Sequence, residues 1–143
     1  VHESEDRPPE GFEIQFPDEP FEMYVGPHYF SHQNGELVAG FRAKSQHGNS
    51  AGNVHGGSLS AFADSALTGF ALDLVDQTHY AVATISLNCD FTAPVRVGDW
   101  VECRGSISHQ TRSLVFIQGR MTVDDRLVLS SSAVLRLIQL RRD

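Results

Sequence analysis

Leu59, Phe62, Ala63, Ala66, Leu67, Phe70, Ala71 and Leu74 recur at i, i+3, i+4 and i+7 without a miss. The pattern predicts a helix over Ser58–Leu74, roughly 25 Å long at about 1.5 Å per residue. Its apolar stripe is wide, as in a helix pressed against a sheet. The rest of the chain must supply that sheet.

The flanking segments do so. Asn34-Gly35 separates HYFSHQ from ELVAGFRA. An Asn-Gly pair between strand-like runs marks a hairpin, because both turn residues take positive φ. Lys44–Val54 is polar and glycine-containing, a loop. After the helix, Ala83, Ile85, Leu87, Cys89 and Phe91 alternate with Thr84, Ser86, Asn88 and Asp90, which predicts a half-buried strand with the first set inward. Pro94 ends it and Gly98-Asp99 turns the chain. Strand-like runs follow at Trp100–Ser108, Leu114–Val123 and Leu127–Ile138, with a tight turn at Asp124-Asp125. Strands joined by short turns pair antiparallel, so the expected class is α+β, one long helix on an antiparallel sheet.

A chain of 143 residues suits one domain and buries a core without a metal or disulfide. Residues 1–20 read as an N-terminal arm, charged and proline-rich at first, then aromatic; residues 21–140 read as the domain. Phe12, Phe16, Phe21 and Tyr24 are expected to tuck onto it as a cover. Hydrophobic residues make up 41% and no run approaches the length of a membrane span. With 11 basic against 18 acidic residues and a net charge of -7, the chain lacks the excess of cations that general nucleic-acid binding needs. No signal-peptide pattern opens it, so a cytoplasmic setting is expected. Cys89 and Cys103 fall in apolar alternation and read as buried thiols. The seven histidines show no His-x-x-x-His pair within a helix, and neither a metal nor another cofactor is expected.

The chemistry gathers where loop meets helix, in Asn49-Ser50-Ala51-Gly52-Asn53-Val54-His55-Gly56-Gly57. The first N–H groups of a helix lack intrahelical partners and sit at the positive end of its dipole. With no side chain at Gly56 or Gly57, those N–H groups are open to an oxyanion or a polarised carbonyl. The plainer reading is a tight turn with close packing. Asp64 lies two turns further on, with Ser60 and Thr68 at i-4 and i+4 as a polar stripe. It is either a residue at the solvated border of the helix or a carboxylate kept there for use.

His-Gly-Gly, a helix, and an acid nine residues after the histidine resemble the hotdog thioesterases of the phenylacetate-degradation type. GNVHGGSLSAFADSA and TISLNCDFTAPVRVGD match in kind and relative position, and Arg112-Ser113-Leu114-Val115-Phe116 also fits. The resemblance runs from Phe21 to Ile138. It implies a hotdog fold, with a long central helix wrapped by the sheet, and hydrolysis of an acyl-CoA thioester by a homodimer or a dimer of dimers.

By that resemblance the Gly56 N–H polarises the thioester carbonyl and Asn49 helps hold the carbonyl or the water. Asp64, from the partner subunit, acts as general base or nucleophile; Thr84 orients the water and Thr68 is a second hydroxyl candidate. His55 fixes the loop by hydrogen bonds. Gly57, Arg112 and Ser113 are the substrate-binding candidates, Arg112 toward the CoA phosphates. The plainer reading of Arg112 is a solvated turn residue. Thr84 falls on the polar face of its strand, which suits the site only if that face or edge meets the partner. Phe62 and Phe70 read as core rather than as sensors of the acyl group. The rival readings are a hotdog enoyl-CoA hydratase, which would need an Asp in the loop where this chain has Asn49, and a non-catalytic acyl-CoA-binding module, against which the intact Asp64 speaks.

Overall fold

The computed structural model describes residues 7–141, so the start of the predicted arm lies outside the described residues. A short helix, α1 (Pro20–Val25), precedes strands β1 (Tyr29–Gln33) and β2 (Glu36–Arg42). A 3-10 turn at Ser45–His47 leads to the central helix α2 (Gly56–Leu72). Strands β3 (Tyr80–Phe91), β4 (Trp100–Gln110), β5 (Leu114–Val123) and β6 (Arg126–Gln139) complete the chain. The six strands form one antiparallel sheet in the order β1-β2-β4-β5-β6-β3. Asn34 and Gly35 both have positive φ, 52° and 78°, as the hairpin requires.

Helix α2 lies on one face of this sheet. Phe62, Ala63, Ala66 and Leu67 are fully buried, and each large side chain among them is worth about 1.5–3 kcal/mol of burial. The sheet makes room for the helix at two glycines. A Cβ on Gly105 would stand 2.6 Å from the Phe70 ring, and one on Gly119 would stand 2.9 Å from a Leu67 methyl. Larger residues there would push the helix off the sheet. The result is the α+β hotdog fold expected from the sequence. Among the described residues no helix is long and apolar enough to cross a membrane.

The details differ from expectation in three places. Helix α2 begins at Gly56, ahead of the predicted Ser58, because the His55 side chain caps it, and it ends at Leu72 rather than Leu74. Leu74 falls past the end and is exposed. Phe12 and Phe16 do pack, against Trp100 and Phe30, but Phe21 and Tyr24 do not: they stand 65% and 83% exposed on α1.

The third difference lies in β3. Thr84 pairs with Leu135 and Ser86 with Val134, so Ile85 is an extra residue, a β-bulge. A bulge reverses which side chains face the core. Tyr80 and Val82 pack on the core before it, and Leu87 and Cys89 after it. Thr84 therefore shares the helix-side face, and Ile85, predicted inward, is 57% exposed. Phe91, also predicted inward, is exposed at the strand's end.

The sheet's two edges are unlike. At β1, Glu13 and Phe30 exchange both backbone hydrogen bonds, 2.9 and 2.8 Å, which covers part of that edge. Strand β3 pairs with β6 alone; past Tyr80, whose N–H turns back to the Asp76 carbonyl, its outer edge meets no backbone partner among the described residues. A long bare edge is a template for another chain.

Candidate active site

The loop before α2 is pinned by His47. Its Nδ1 accepts the Lys44 N–H at 2.9 Å, so Nε2 carries the proton that it donates to the Val25 carbonyl at 2.6 Å. Its own carbonyl accepts the His55 N–H at 2.8 Å. One histidine, through its ring and its carbonyl, thus ties α1 to the residue that caps α2. Burial lowers the pKa of His47, Lys44 adds to this, and its bonds to backbone carbonyls oppose it. Nothing around His47 in the sequence marks this pinning role. No local pattern marks a bond to a carbonyl that lies 22 residues away.

Asn49 closes the adjoining turn. Its Oδ1 accepts the N–H groups of Ala51 at 2.9 Å and Asn53 at 3.3 Å. Those two donors decide which end of the amide faces the turn, leaving the Nδ2 donor outward. The backbone of Asn49 bonds to Asn53 O at 2.7 Å, and Val54 N–H bonds to Val95 O at 2.7 Å, fastening the loop to the segment after β3.

At the start of α2, His55 is the N-cap. Its Nδ1 accepts the Gly57 N–H at 2.9 Å, and its carbonyl accepts from Ser58 and Leu59. Of the two glycines singled out in the sequence, Gly57 therefore has no N–H to offer a ligand. The Gly56 N–H has no partner among the described residues. It stands at the positive end of a 17-residue helix. The exposed ring of Phe91 lies beside it, 3.4 Å from where a Gly56 Cβ would be. The neighbouring Gly56 carbonyl accepts the Ser60 hydroxyl at 2.9 Å.

Eight residues along α2, about 12 Å at 1.5 Å per residue, Asp64 accepts a 2.6 Å hydrogen bond from the Thr84 hydroxyl through Oδ1. The bulge at Ile85 is what turns Thr84 toward the helix. Thr68 is half-buried one turn on, and its hydroxyl has no partner among the described residues. Glu22 of α1 lies close enough to feel the charge of Asp64. Burial raises its pKa, the Ser65 hydroxyl opposes this, and the charges of Glu19 and Asp64 add to it. Cys89 and Cys103 are both free. Burial pushes the Cys103 thiol up to about 12 and that of Cys89 up in the same direction.

Arg112 and Ser113 occupy the β4–β5 hairpin. Thr111 Oγ1 accepts the N–H groups of Ser113 and Leu114 there, and the Ser113 carbonyl accepts the Leu137 N–H at 2.8 Å. Across the sheet Thr84 pairs with Leu135, and Leu135 with Val115. The Arg112 hairpin therefore lies at the end of the sheet that carries Asp64. Phe91, beside Gly56, pairs with Leu129 at the other end. Gly56, Asn49 and His55 thus lie at one end, and Asp64, Thr84 and Arg112 toward the other. The Gly56 N–H and the Asp64 carboxylate of one chain, about 12 Å apart along the helix, are too far apart to touch one small group.

Two cavities flank the start of α2. One, of about 530 Å³, lies between α1 and α2 and has His55 and Gly57 at its edge. The other, of about 450 Å³, lies on the opposite side beside Gly56, Phe91 and Pro94.

Residues 51–130 match the family model described as the thioesterase superfamily. The chain is 34% identical over 131 residues to a Pseudomonas aeruginosa protein named "Putative esterase PA0474", across 90% of this chain and 96% of that one. A thioesterase, HI1161, from Haemophilus influenzae superposes with a TM-score of 0.80 at 18% identity, covering 90% of each chain. A mutant of the phenylacetic acid degradation protein PaaI from Thermus thermophilus superposes with a TM-score of 0.71 at 24% identity, over 82% of this chain and 98% of that one. At such identities these two structures speak for the fold alone.

Proposed function

We propose, from the premise that the chain belongs to the thioesterase superfamily, that it hydrolyses acyl-CoA thioesters at a site assembled from two copies of the chain. The observation that carries this reading is the unpartnered Gly56 N–H at the first position of α2, about 12 Å along the helix from the Asp64–Thr84 pair. One half-site can polarise a carbonyl and the other can activate water, and pairing across the bare edge of β3 would bring them together.

In the proposed reaction the thioester oxygen sits on the Gly56 N–H, where the helix dipole favours the charge that develops on it. Asn49 Nδ2 is the second donor in reach of that loop. Asp64 of the second copy takes a proton from water, which attacks the carbonyl carbon. The carbon–sulfur bond then breaks, and the CoA sulfur leaves with the proton. Thr84 occupies one Asp64 oxygen and leaves the other for the water. The alternative of direct attack by Asp64, through an anhydride that water then opens, uses the same groups. His55 serves by holding the loop and the helix start.

The test is Gly56→Pro. Proline is well suited to the first position of a helix, and His55 at φ -63° and ψ 137° has the conformation that a following proline requires. The variant deletes an N–H that bonds to nothing else. The chain should fold and dimerise normally while kcat on acyl-CoA falls by roughly 10²–10³-fold. Retention of normal kcat by a folded Gly56→Pro protein would remove the helix N-terminus from the mechanism.

A further inference from the structure

Helix α1 contributes nothing to the core, since none of its residues is buried. Yet it holds Phe21 and Tyr24 in solvent at 65% and 83% exposure, at a cost of about 1.5–3 kcal/mol of forgone burial for a large apolar side chain. Its position is set by His47, which donates to the Val25 carbonyl at 2.6 Å. The same His47 accepts the N–H of His55. The aromatic wall and the loop that aims Gly56 are therefore built as one unit.

Between that wall and α2 lies the cavity of about 530 Å³, a volume in the range of small-molecule sites and far beyond what an acetyl group needs. Its α2 side is formed by Ser58 and Ala61, and the small Ala61 side chain leaves the space open. Among the described residues no acidic residue, lysine or arginine lines it. Acidic charges flank α1, and Lys44 stands close enough to His47 to act on it. Glu22 lies beside Ser65 and close enough to Asp64 to feel its charge, and Glu19 stands just before α1. An anionic group entering here would leave water for a wall that carries no lysine or arginine among the described residues.

We infer that the cavity between α1 and α2 is the acyl subsite, selecting uncharged, bulky acyl groups over acetyl and over carboxyacyl groups, with Phe21, Tyr24 and Ala61 setting the selection. The inference rests on the thioesterase reading above. The acyl carbon skeleton passes from the carbonyl at Gly56, past His55 and Gly57, into contact with the two rings. The nucleotide end of the substrate, being polyanionic, stays outside.

The experiment combines hydrolysis with binding. Rates are measured on acetyl-, octanoyl- and succinyl-CoA, and binding of the non-hydrolysable thioether S-octyl-CoA is compared with that of CoA by calorimetry. Wild type should prefer octanoyl-CoA to both others by at least tenfold in kcat/KM and bind S-octyl-CoA at least tenfold more tightly than CoA. Ala61→Leu fills the cavity, and Phe21→Ala/Tyr24→Ala removes its wall. Each should erase most of the octanoyl and octyl advantage while leaving acetyl-CoA hydrolysis within about threefold, with circular dichroism and oligomeric state unchanged. Two variants on opposite walls guard against one of them misfolding. If wild type hydrolyses no acyl-CoA but keeps the octyl advantage and loses it in Ala61→Leu, the thioesterase reading falls and the subsite stands. If hydrolysis is present but the variants leave the chain-length preference unchanged, or depress acetyl- and octanoyl-CoA alike, the subsite is wrong and the thioesterase reading stands. Wild type with neither hydrolysis nor an octyl advantage would overturn both.

Discussion

Thr84 Oγ1 lies 2.6 Å from Asp64 Oδ1, a hydrogen bond from the edge strand to the central helix that exists because Ile85 bulges out of register. The bond holds one carboxylate oxygen and leaves the other without a partner among the described residues. Asp64→Asn keeps shape and also keeps an acceptor for Thr84, so the fold should survive. In the proposed role kcat should drop by roughly 10²-fold or more with a smaller change in KM. Thr84→Val removes only the donor. Losing a hydrogen bond to a charged group costs about 1.5 kcal/mol, so kcat should fall roughly tenfold. Near-normal kcat in Asp64→Asn would take Asp64 out of the reaction.

His55 caps α2 through Nδ1, and capping can be separated from acid–base chemistry. Asn supplies a side-chain oxygen in place of Nδ1 for the Gly57 N–H. His55→Asn should therefore melt close to wild type and keep kcat within a few-fold. His55→Ala should lose about 1 kcal/mol of stability and more activity than His55→Asn. Equal and large losses of kcat in both variants, with Asn fully stable, would show that the imidazole itself takes part in the chemistry.

The separation of Gly56 from Asp64 makes a statement about assembly. Light scattering at micromolar concentration should find at least a dimer. Gly56→Pro and Asp64→Asn, each inactive alone, should regain partial activity when unfolded and refolded together, because a mixed dimer holds one site with both groups intact. A monomer that still hydrolyses thioesters would contradict the shared site.

The parts legible in the sequence are those whose signals are local. The i, i+3, i+4 run of α2 and the Asn34-Gly35 turn were readable because a helix stripe and a two-residue hairpin are set by neighbours. His-Gly-Gly and Asp64 mark the two ends of the proposed site for the same reason. The bulge at Ile85 could not be read. Ala83, Ile85, Leu87, Cys89 and Phe91 alternate without a break, and only pairing with β6 makes Ile85 surplus. That single slip is why Thr84 read as facing away from the site. Gly56 and Gly57 looked equivalent as well, until the His55 side chain folded back on one of them. Long-range bonds, such as His47 to Val25, leave no trace in either residue's surroundings along the chain.

His28 gives the fold a dependence on pH. It is 4% exposed, packed on Phe41 and Phe62, and its Nδ1 has no partner among the described residues. Burial first, and then the neighbouring His47, lower its pKa from 6.5 to about 4. Above pH 6.5 the ring is neutral in folded and unfolded chains alike, and stability is full. As pH falls from 6.5 toward 4 only the unfolded chain takes up the proton, so stability is lost through that window, by roughly 3 kcal/mol at its lower end. His47, also lowered by burial, acts in the same direction. Urea melts at pH 7, 5.5 and 4.5 should show the decline, and His28→Leu should flatten it. An equally steep decline in His28→Leu would assign the effect to other groups.

Arg112 stands exposed on the β4–β5 hairpin, at the end of the sheet that carries Asp64 and away from the Gly56 of its own chain. In a dimer paired along β3 it would serve the site whose carbonyl rests on the partner's Gly56. CoA carries a phosphate and a pyrophosphate, and a chain of net charge -7 must offset its own field locally to hold them. Arg112→Ala should therefore raise KM for acyl-CoA well above its effect on a truncated thioester lacking the nucleotide. Added salt should weaken the CoA substrate and spare the truncated one, because screening acts on exposed charges. The hairpin should not suffer, since its bonds run through Thr111 and the Ser113 carbonyl rather than the guanidinium. Equal losses on both substrates would mean that Arg112 supports the fold or the catalytic groups. No loss on either would pass the phosphates to another cation, with Arg96 and Arg120, both exposed, the next to replace.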